Sequence, residues 1–335
     1  MIIADAHCDT LSRMVRRGGG LYENSHHLDI QKLLHGGKGV KRLQVFAAFC
    51  GQDAGKEKQF ILQQMEKFYD EMHMNATWIS YGAMSDKIVN ERAKTLSERA
   101  KELNEWESKS LLSSSSPISG LLSIEGLNFL NSEDADDQVF FENLLEQVVM
   151  IAPSWNIAGS ICTTCMEEDD KGLSSYGRKV LQAMEKAGVF LDVSHMSRKS
   201  VEDAFAIYHA PVVASHSNAY QICKHKRNLT DEEMHSIAAS GGWIGVNFYP
   251  PFLREDETRV ATMEDVIRHI EYIAGLIGED FVGLGSDFDG IDETPRDMQN
   301  AAAVGGLVDA LLRRNYREQT VAKIMGENLI RVLGR

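Results

Sequence analysis

GVFLDVSHMSRKSVEDAFAIYHAPVVASH, residues 188–216, holds two short apolar runs, VFLDVS (189–194) and PVVASH (211–216), separated by a segment of helical period. Each run is apolar on both faces, as a strand buried in a parallel sheet should be. Each ends in a small polar residue and a histidine before the chain turns into a loop. The unit is strand, helix, strand.

The alternation extends in both directions. Further runs of this kind are MIIADA (1–6), RLQVFAAF (42–49), ISGLLSI (118–124), VVMIAPS (148–154), GWIGVNFY (242–249) and DFVGLGS (280–286), eight in all. Helical period fills the intervals, and several helices begin at Ser, Thr or Asp and stop at Gly. Before the third run come two long helical segments, 56–76 and 85–108. Eight strands alternating with helices predict an α/β protein of the (β/α)8 TIM-barrel type, whose catalytic groups stand at the C-terminal strand ends. An open doubly wound sheet is the rival. No linker or internal repeat divides the chain, so the expectation is a single barrel over 1–335 with a helical insertion at about 55–115. The serine tract at 113–116 reads as a loop into the third strand.

Composition narrows the function. A hydrophobic fraction of 43% and only six prolines describe a globular chain with ample core. The net charge of −14, from 35 basic and 49 acidic residues, opposes a phosphate backbone, so nucleic acid is not an expected partner. Five cysteines, an odd number, suit a reduced compartment. No signal-like N-terminus and no run of about 18 apolar residues is present, so the expectation is a cytoplasmic protein without a membrane partner. A homodimer is left open.

The strand ends carry the chemistry. His7 and Asp9 follow the first strand, Glu125 the third, His195 the fifth, His216 the sixth, and Asp287 and Asp289 the eighth. In a barrel these ends converge on one rim. His7 and Asp9 are two residues apart, so on an extended strand they leave the same face; Cys8 points the other way, into packing, and Asp5 sits one step deeper as support. Two imidazoles on consecutive strands could clamp an ion. A buried glutamate needs a partner, and Glu125 could bridge two metals. The donor mixture suits Zn²⁺, with Mn²⁺, Co²⁺ or Fe²⁺ also compatible. Such a pair would acidify a shared water and polarise a carbonyl or phosphoryl group, which implies a hydrolase. Asp287 could pass the proton to a leaving group. Asp289, in an Asp-Gly turn, and the Cys162-x-x-Cys165 pair read as structural.

These residues resemble the membrane (renal) dipeptidase family, peptidase family M19 of the amidohydrolase superfamily. The matching pieces are DAHCD, GLLSIEG, KGLSSYGRKVLQAMEKAGVFLDVSHMS, APVVASHSNAY, HKRNLTDEE, GVNFY, FVGLGSDFDG and KIMGENLIRVL, in order through most of the chain. The resemblance implies a (β/α)8 barrel with two zinc ions, His7 and Asp9 on one, His195 and His216 on the other, and Glu125 bridging. It implies a dipeptidase that cleaves dipeptides with a free C-terminal carboxylate by a metal-bridging hydroxide. Arg227 would bind that carboxylate, Asp287 would handle the proton, and Tyr249, at the end of GVNFY, would contact substrate.

One position departs from the pattern. Vertebrate members carry a histidine after the fourth strand, where APSWN here places Trp155. An indole offers one N–H donor and no metal-binding lone pair. The alternatives are an amidohydrolase acting on N-acyl amino acids or another small amide or lactam, and a non-catalytic barrel. A phosphotriesterase-type site is disfavoured, because no lysine ends the fourth strand.

Overall fold

A computed structural model describes residues 1–35, 40–52, 54–81, 116–256 and 260–334. Nine strands run β1 Ile2–Asp5, β2 Lys41–Phe49, β3 Ile79–Tyr81, β4 Ile118–Glu125, β5 Met150–Ala152, β6 Phe190–Asp192, β7 Val212–Ala214, β8 Trp243–Val246 and β9 Val282–Leu284. All pairings between them are parallel, in the order β2-β1-β9-β8-β7-β6-β5-β4-β3. β2 also pairs with β4 along its length, from Arg42 opposite Ile118 to Phe49 opposite Glu125. That pairing closes eight strands into a barrel and excludes the open sheet.

Every predicted run contains a strand, though most strands are shorter than the run that announced them. The exception to the count is β3, which pairs with residues 118–120 of β4, below the stretch that pairs with β5. Three residues, ISY, are too few to show a period. The helix foreseen at 56–76 is Glu57–Met74, which buries Ile61, Met65, Phe68 and Met72 against the barrel. The helix foreseen at 85–108 lies outside the described residues, as does most of the serine tract.

Two cores hold the fold. One lies between the barrel and its helices. The other fills the barrel, with Ala4, Ala6, Leu43, Val45, Leu121, Met150, Phe190 and Val213 around Trp243, and Leu329, Val332 and Leu333 of the C-terminal helix stopping its lower end. Trp243 explains Gly283 of β9, where a Cβ would lie 2.5 Å from its ring; at Gly245 of β8 a Cβ would meet the Ser215 carbonyl at 2.1 Å before the Trp243 ring at 2.9 Å. Helix starts follow the sequence signals. Ser174 and Ser197 accept the N–H of Gly177 and Ser200, and Thr230 forms a capping box with Glu233. Gly188 ends the helix Ser175–Ala187 in the left-handed conformation, φ 73°. Among the described residues no helix is long and apolar enough to cross a membrane.

Candidate active site

At the first strand end the chain leaves the ladder sooner than its sequence suggests. β1 stops at Asp5, so His7 and Asp9 stand just beyond the strand. Asp5 causes this: its carboxylate accepts the N–H of His7 at 3.2 Å, together with the N–H and hydroxyl of Ser286 at 2.9 and 2.5 Å. The two side chains still converge, His7 Nε2 lying 3.3 Å from Asp9 Oδ2. Cys8 is buried in the outer core and Asp5 supports the turn, both as the sequence indicates.

β6 and β7 repeat the device. Asp192 accepts the N–H of Ser194 at 3.0 Å and, from the next strand, the N–H and hydroxyl of Ser215 at 2.9 and 2.5 Å. Histidines follow each serine. His195, with φ 73°, is a non-glycine residue in the left-handed region, as are Asp287 at 62° and Asp289 at 70°. Such backbone is costly and persists where surrounding bonds over-determine it.

All five candidate metal ligands meet at the C-terminal mouth and are buried. Glu125 Oε1 lies 2.9 Å from His195 Nε2, 3.5 Å from His216 Nε2 and 3.8 Å from His7 Nε2. The two imidazoles of β6 and β7 approach to 2.9 Å, Nε2 to Nε2. Asp287 joins the cluster, Oδ1 to His7 Nε2 being 3.9 Å. Donor atoms of His7, Glu125 and His216, and of His7, Asp9 and Asp287, form two compact triplets that could hold a cation.

The hydrogen bonds behind the histidines fix what their inner nitrogens offer. His195 Nδ1 meets Asn156 Oδ1 at 2.7 Å, an acceptor, so Nδ1 carries the proton. Ser215 donates its hydroxyl to Asp192 and therefore accepts from His216 Nδ1 at 2.6 Å. Both Nε2 atoms are then lone pairs directed at each other and at a carboxylate oxygen. Three such atoms this close need a proton or a metal cation between them. Asp9 Oδ1 and His7 Nδ1 are in addition buried without a hydrogen-bond partner. The residues present fit a metal.

The electrostatics agree. Burial, then Arg227 and His7, push His195 well below the usual imidazole range; burial, His7, Arg227 and His195 do the same to His216. Burial opposes charge on His7 too, but Glu125, Asp9 and Asp287 outweigh it and raise the ring to about 10. Burial and Asp9 hold Glu125 well above the carboxylate range. Asp287 rises to about 7, chiefly by burial, with Asp9 adding to it and His7 and Asn247 opposing.

A cavity of about 480 Å³ opens over the cluster, and Trp155, Arg227, Tyr249, Asp287 and Asp289 all line it. Arg227 is only 5% exposed; its guanidinium donates to Ser217 Oγ at 3.5 Å and to the His216 carbonyl at 3.3 Å and lies over Phe252. Trp155 stands edge-on to Phe49, centroids 4.9 Å apart, and 6.3 Å from His195. Tyr249 packs against Phe252. Asp289 is structural: it accepts from Thr10 Oγ1 at 2.6 Å and the His27 N–H at 2.7 Å. Cys162 is buried and Cys165 half-buried, both unpaired.

Four supporting residues carry no strand-end signature in the sequence. Asp192 and Ser215 set the His216 tautomer, Asn156 sets that of His195, and Asn247 donates to Asp287 Oδ2 at 2.8 Å while it is itself held by Asn218. The only signal in the chain is the recurrence of an Asp two residues before a polar strand end, in ADAH and LDVS.

Fold and site together define a (β/α)8 barrel of the metal-dependent hydrolase type. The sequence profile of the membrane dipeptidase family, peptidase family M19, matches residues 1–335, and the chain belongs to that family. An uncharacterised dipeptidase of Schizosaccharomyces pombe is 37% identical over 164 residues, 49% of this chain and 39% of that protein, so the match spans well under half of the yeast relative. An uncharacterised protein from the pqqA 5′ region of Klebsiella pneumoniae is 35% identical over 218 residues, 63% of this chain and 79% of the relative. Among solved structures, a metallopeptidase of Rhodobacter sphaeroides liganded with a phosphinate mimic of the dipeptide L-Ala-D-Ala shares the fold, with a TM-score of 0.80, 24% identity and 100% and 99% of the two chains covered.

Proposed function

We propose that the chain is a single-domain, metal-dependent dipeptidase for dipeptides with a free C-terminal carboxylate. The observation that carries this reading is the set of inward-facing acceptors on His195, His216 and Glu125, with a buried guanidinium, Arg227, across the same cavity. His7, Asp9, Glu125, His195 and His216 would hold two zinc ions, with Glu125 between them. Metal held there supplies an acidified water and polarises the peptide carbonyl.

The protein's own groups do the rest. Arg227, packed on Phe252 and tied to Ser217, presents a fixed fork to the substrate carboxylate and selects a free C-terminus. Asp287, raised toward neutrality, takes a proton and returns it to the departing amine, and Asn247 holds its other oxygen. Trp155 and Tyr249 wall the cavity and exclude water. Trp155 contributes shape rather than charge, so orientation of the carbonyl falls to the cluster beneath it.

Metal content per chain and hydrolysis of a dipeptide panel test the proposal. Metal-replete protein that leaves every dipeptide intact refutes it. Faster turnover of N-acetyl amino acids than of dipeptides would move the assignment to a small-amide hydrolase. The cytoplasm is proposed as its compartment on five cysteines, all free of disulfides.

A further inference from the structure

Beside the main cavity lies a second, of about 360 Å³, which shares Arg16 and Gln52 with it. Lys56, Gln59, Phe60 and Gln63 also line it, and among the described residues none of its lining is acidic. In a chain of net charge −14 that is a marked local reversal. The main cavity, by contrast, is mixed, with Asp9, Glu125, Asp287, Asp289 and Asp292 facing four arginines, Arg227 among them.

Arg16, an exposed residue, stands where the two cavities meet. Its guanidinium carbon lies 4.6 Å from the Phe60 ring centre and 5.8 Å from that of Phe49. Gly51, with φ 82°, makes room: a Cβ there would come within 3.0 Å of Phe60 and 3.6 Å of Arg16 Nη2. An arginine gripped by its flat face keeps its N–H edge for an acceptor. Among the described residues no carboxylate ion-pairs with it. Lys56 stands at the N-cap of the helix Glu57–Met74 and its own side chain makes no cap hydrogen bond, and the helix dipole adds positive potential that Glu57 only partly offsets.

Position around the barrel says which part of a substrate reaches this site. Arg227 follows β7, and the Phe49–Gly51 segment follows β2, four strands away in either direction round the ring. The metal-ligand cluster lies between. A dipeptide with its carboxylate on Arg227 and its peptide bond over the cluster would point its N-terminal residue toward the β2 side of the mouth, where Arg16 lines the same cavity.

We propose that the second cavity is a side-chain subsite for an acidic residue, aspartate or glutamate, at the N-terminal position of the dipeptide, with Arg16 determining the specificity. This rests on the dipeptidase reading above. The test compares kcat/KM for Glu-Ala, Ala-Glu and Ala-Ala in the wild-type protein and in Arg16→Gln and Lys56→Gln. Glu-Ala should be the preferred substrate, and Arg16→Gln should lose about tenfold or more on Glu-Ala, the cost of a charge-assisted pair, while Ala-Ala stays within about twofold. Lys56→Gln should fall in the same direction by less. Equal losses on Glu-Ala and Ala-Ala, or a larger loss on Ala-Glu, overturn the subsite and leave the dipeptidase standing. Should no dipeptide be cleaved, the dipeptidase reading falls, and calorimetric titration of the same full-length proteins with Glu-Ala and Ala-Ala decides the subsite: binding of Glu-Ala unaffected by Arg16→Gln refutes it.

Discussion

Replacing Asp192 by asparagine should weaken metal binding without touching a ligand. Asp192 Oδ1 accepts two backbone N–H groups, from Ser194 and Ser215, while Oδ2 accepts the Ser215 hydroxyl. An asparagine must keep its oxygen on the two N–H donors; turned the other way it would strand both, at about 1–3 kcal/mol each. Its NH₂ therefore faces Ser215 and donates. Ser215 must then turn its own hydrogen to His216 Nδ1, 2.6 Å away, and the imidazole proton moves to Nε2. The ring presents N–H where a metal needs a lone pair. Partners behind metal-binding histidines are worth roughly 10- to 100-fold in affinity, or about 1.4–2.7 kcal/mol at 1.36 kcal/mol per decade. Competition for Zn²⁺ against a chromogenic chelator measures the loss, and ¹⁵N shifts of the histidines in metal-depleted protein report the tautomer. A folded Asp192→Asn protein with wild-type zinc affinity and an unprotonated Nε2 would refute the reasoning.

Further outcomes follow from other parts of the structure. His269 is buried, accepts the Ala219 N–H at 3.1 Å and meets the Leu253 carbonyl at 3.2 Å; burial lowers it from 6.5 to about 4. Because the unfolded chain binds this proton more readily, the stability contribution is complete above about pH 6.5 and is lost as pH falls toward 4, some 3 kcal/mol in all. Urea unfolding of wild type and His269→Asn across that window should show the steeper decline in the wild type. Gly283→Ala, which drives a methyl into Trp243, should destabilise by about 1–3 kcal/mol in the same measurement. Asn247→Ala frees one oxygen of Asp287 and should lower kcat on a dipeptide by roughly tenfold to a hundredfold with KM little changed; a raised KM with kcat unchanged would point to substrate binding instead.

The strands were legible because a parallel barrel buries both faces of each, so the chain spells them as apolar runs. Their outer limits were not, since a run such as 189–194 stays apolar beyond the three residues that share a ladder. The metal ligands were visible as polar residues where an apolar strand ends, a place where a charge is expensive without a partner. Asn156, Asp192, Ser215 and Asn247 were not visible. They are ordinary polar residues whose effect depends on which atom donates to which.

Sequence alone determined the succession of the eight barrel strands, the placement of His7, Asp9, Glu125, His195, His216 and Asp287 at or just beyond strand ends, and a resemblance strong enough to name a family. Periodicity and local chemistry are properties of neighbouring residues, and a single chain displays them directly. Tertiary structure decided the rest: the β2–β4 pairing that closes the barrel, the tautomers of two histidines, and the basic cavity at Arg16. Each of these joins groups from distant segments. Hydrogen-bond direction and the sharing of a wall exist only once the backbone has brought those segments within a few ångströms.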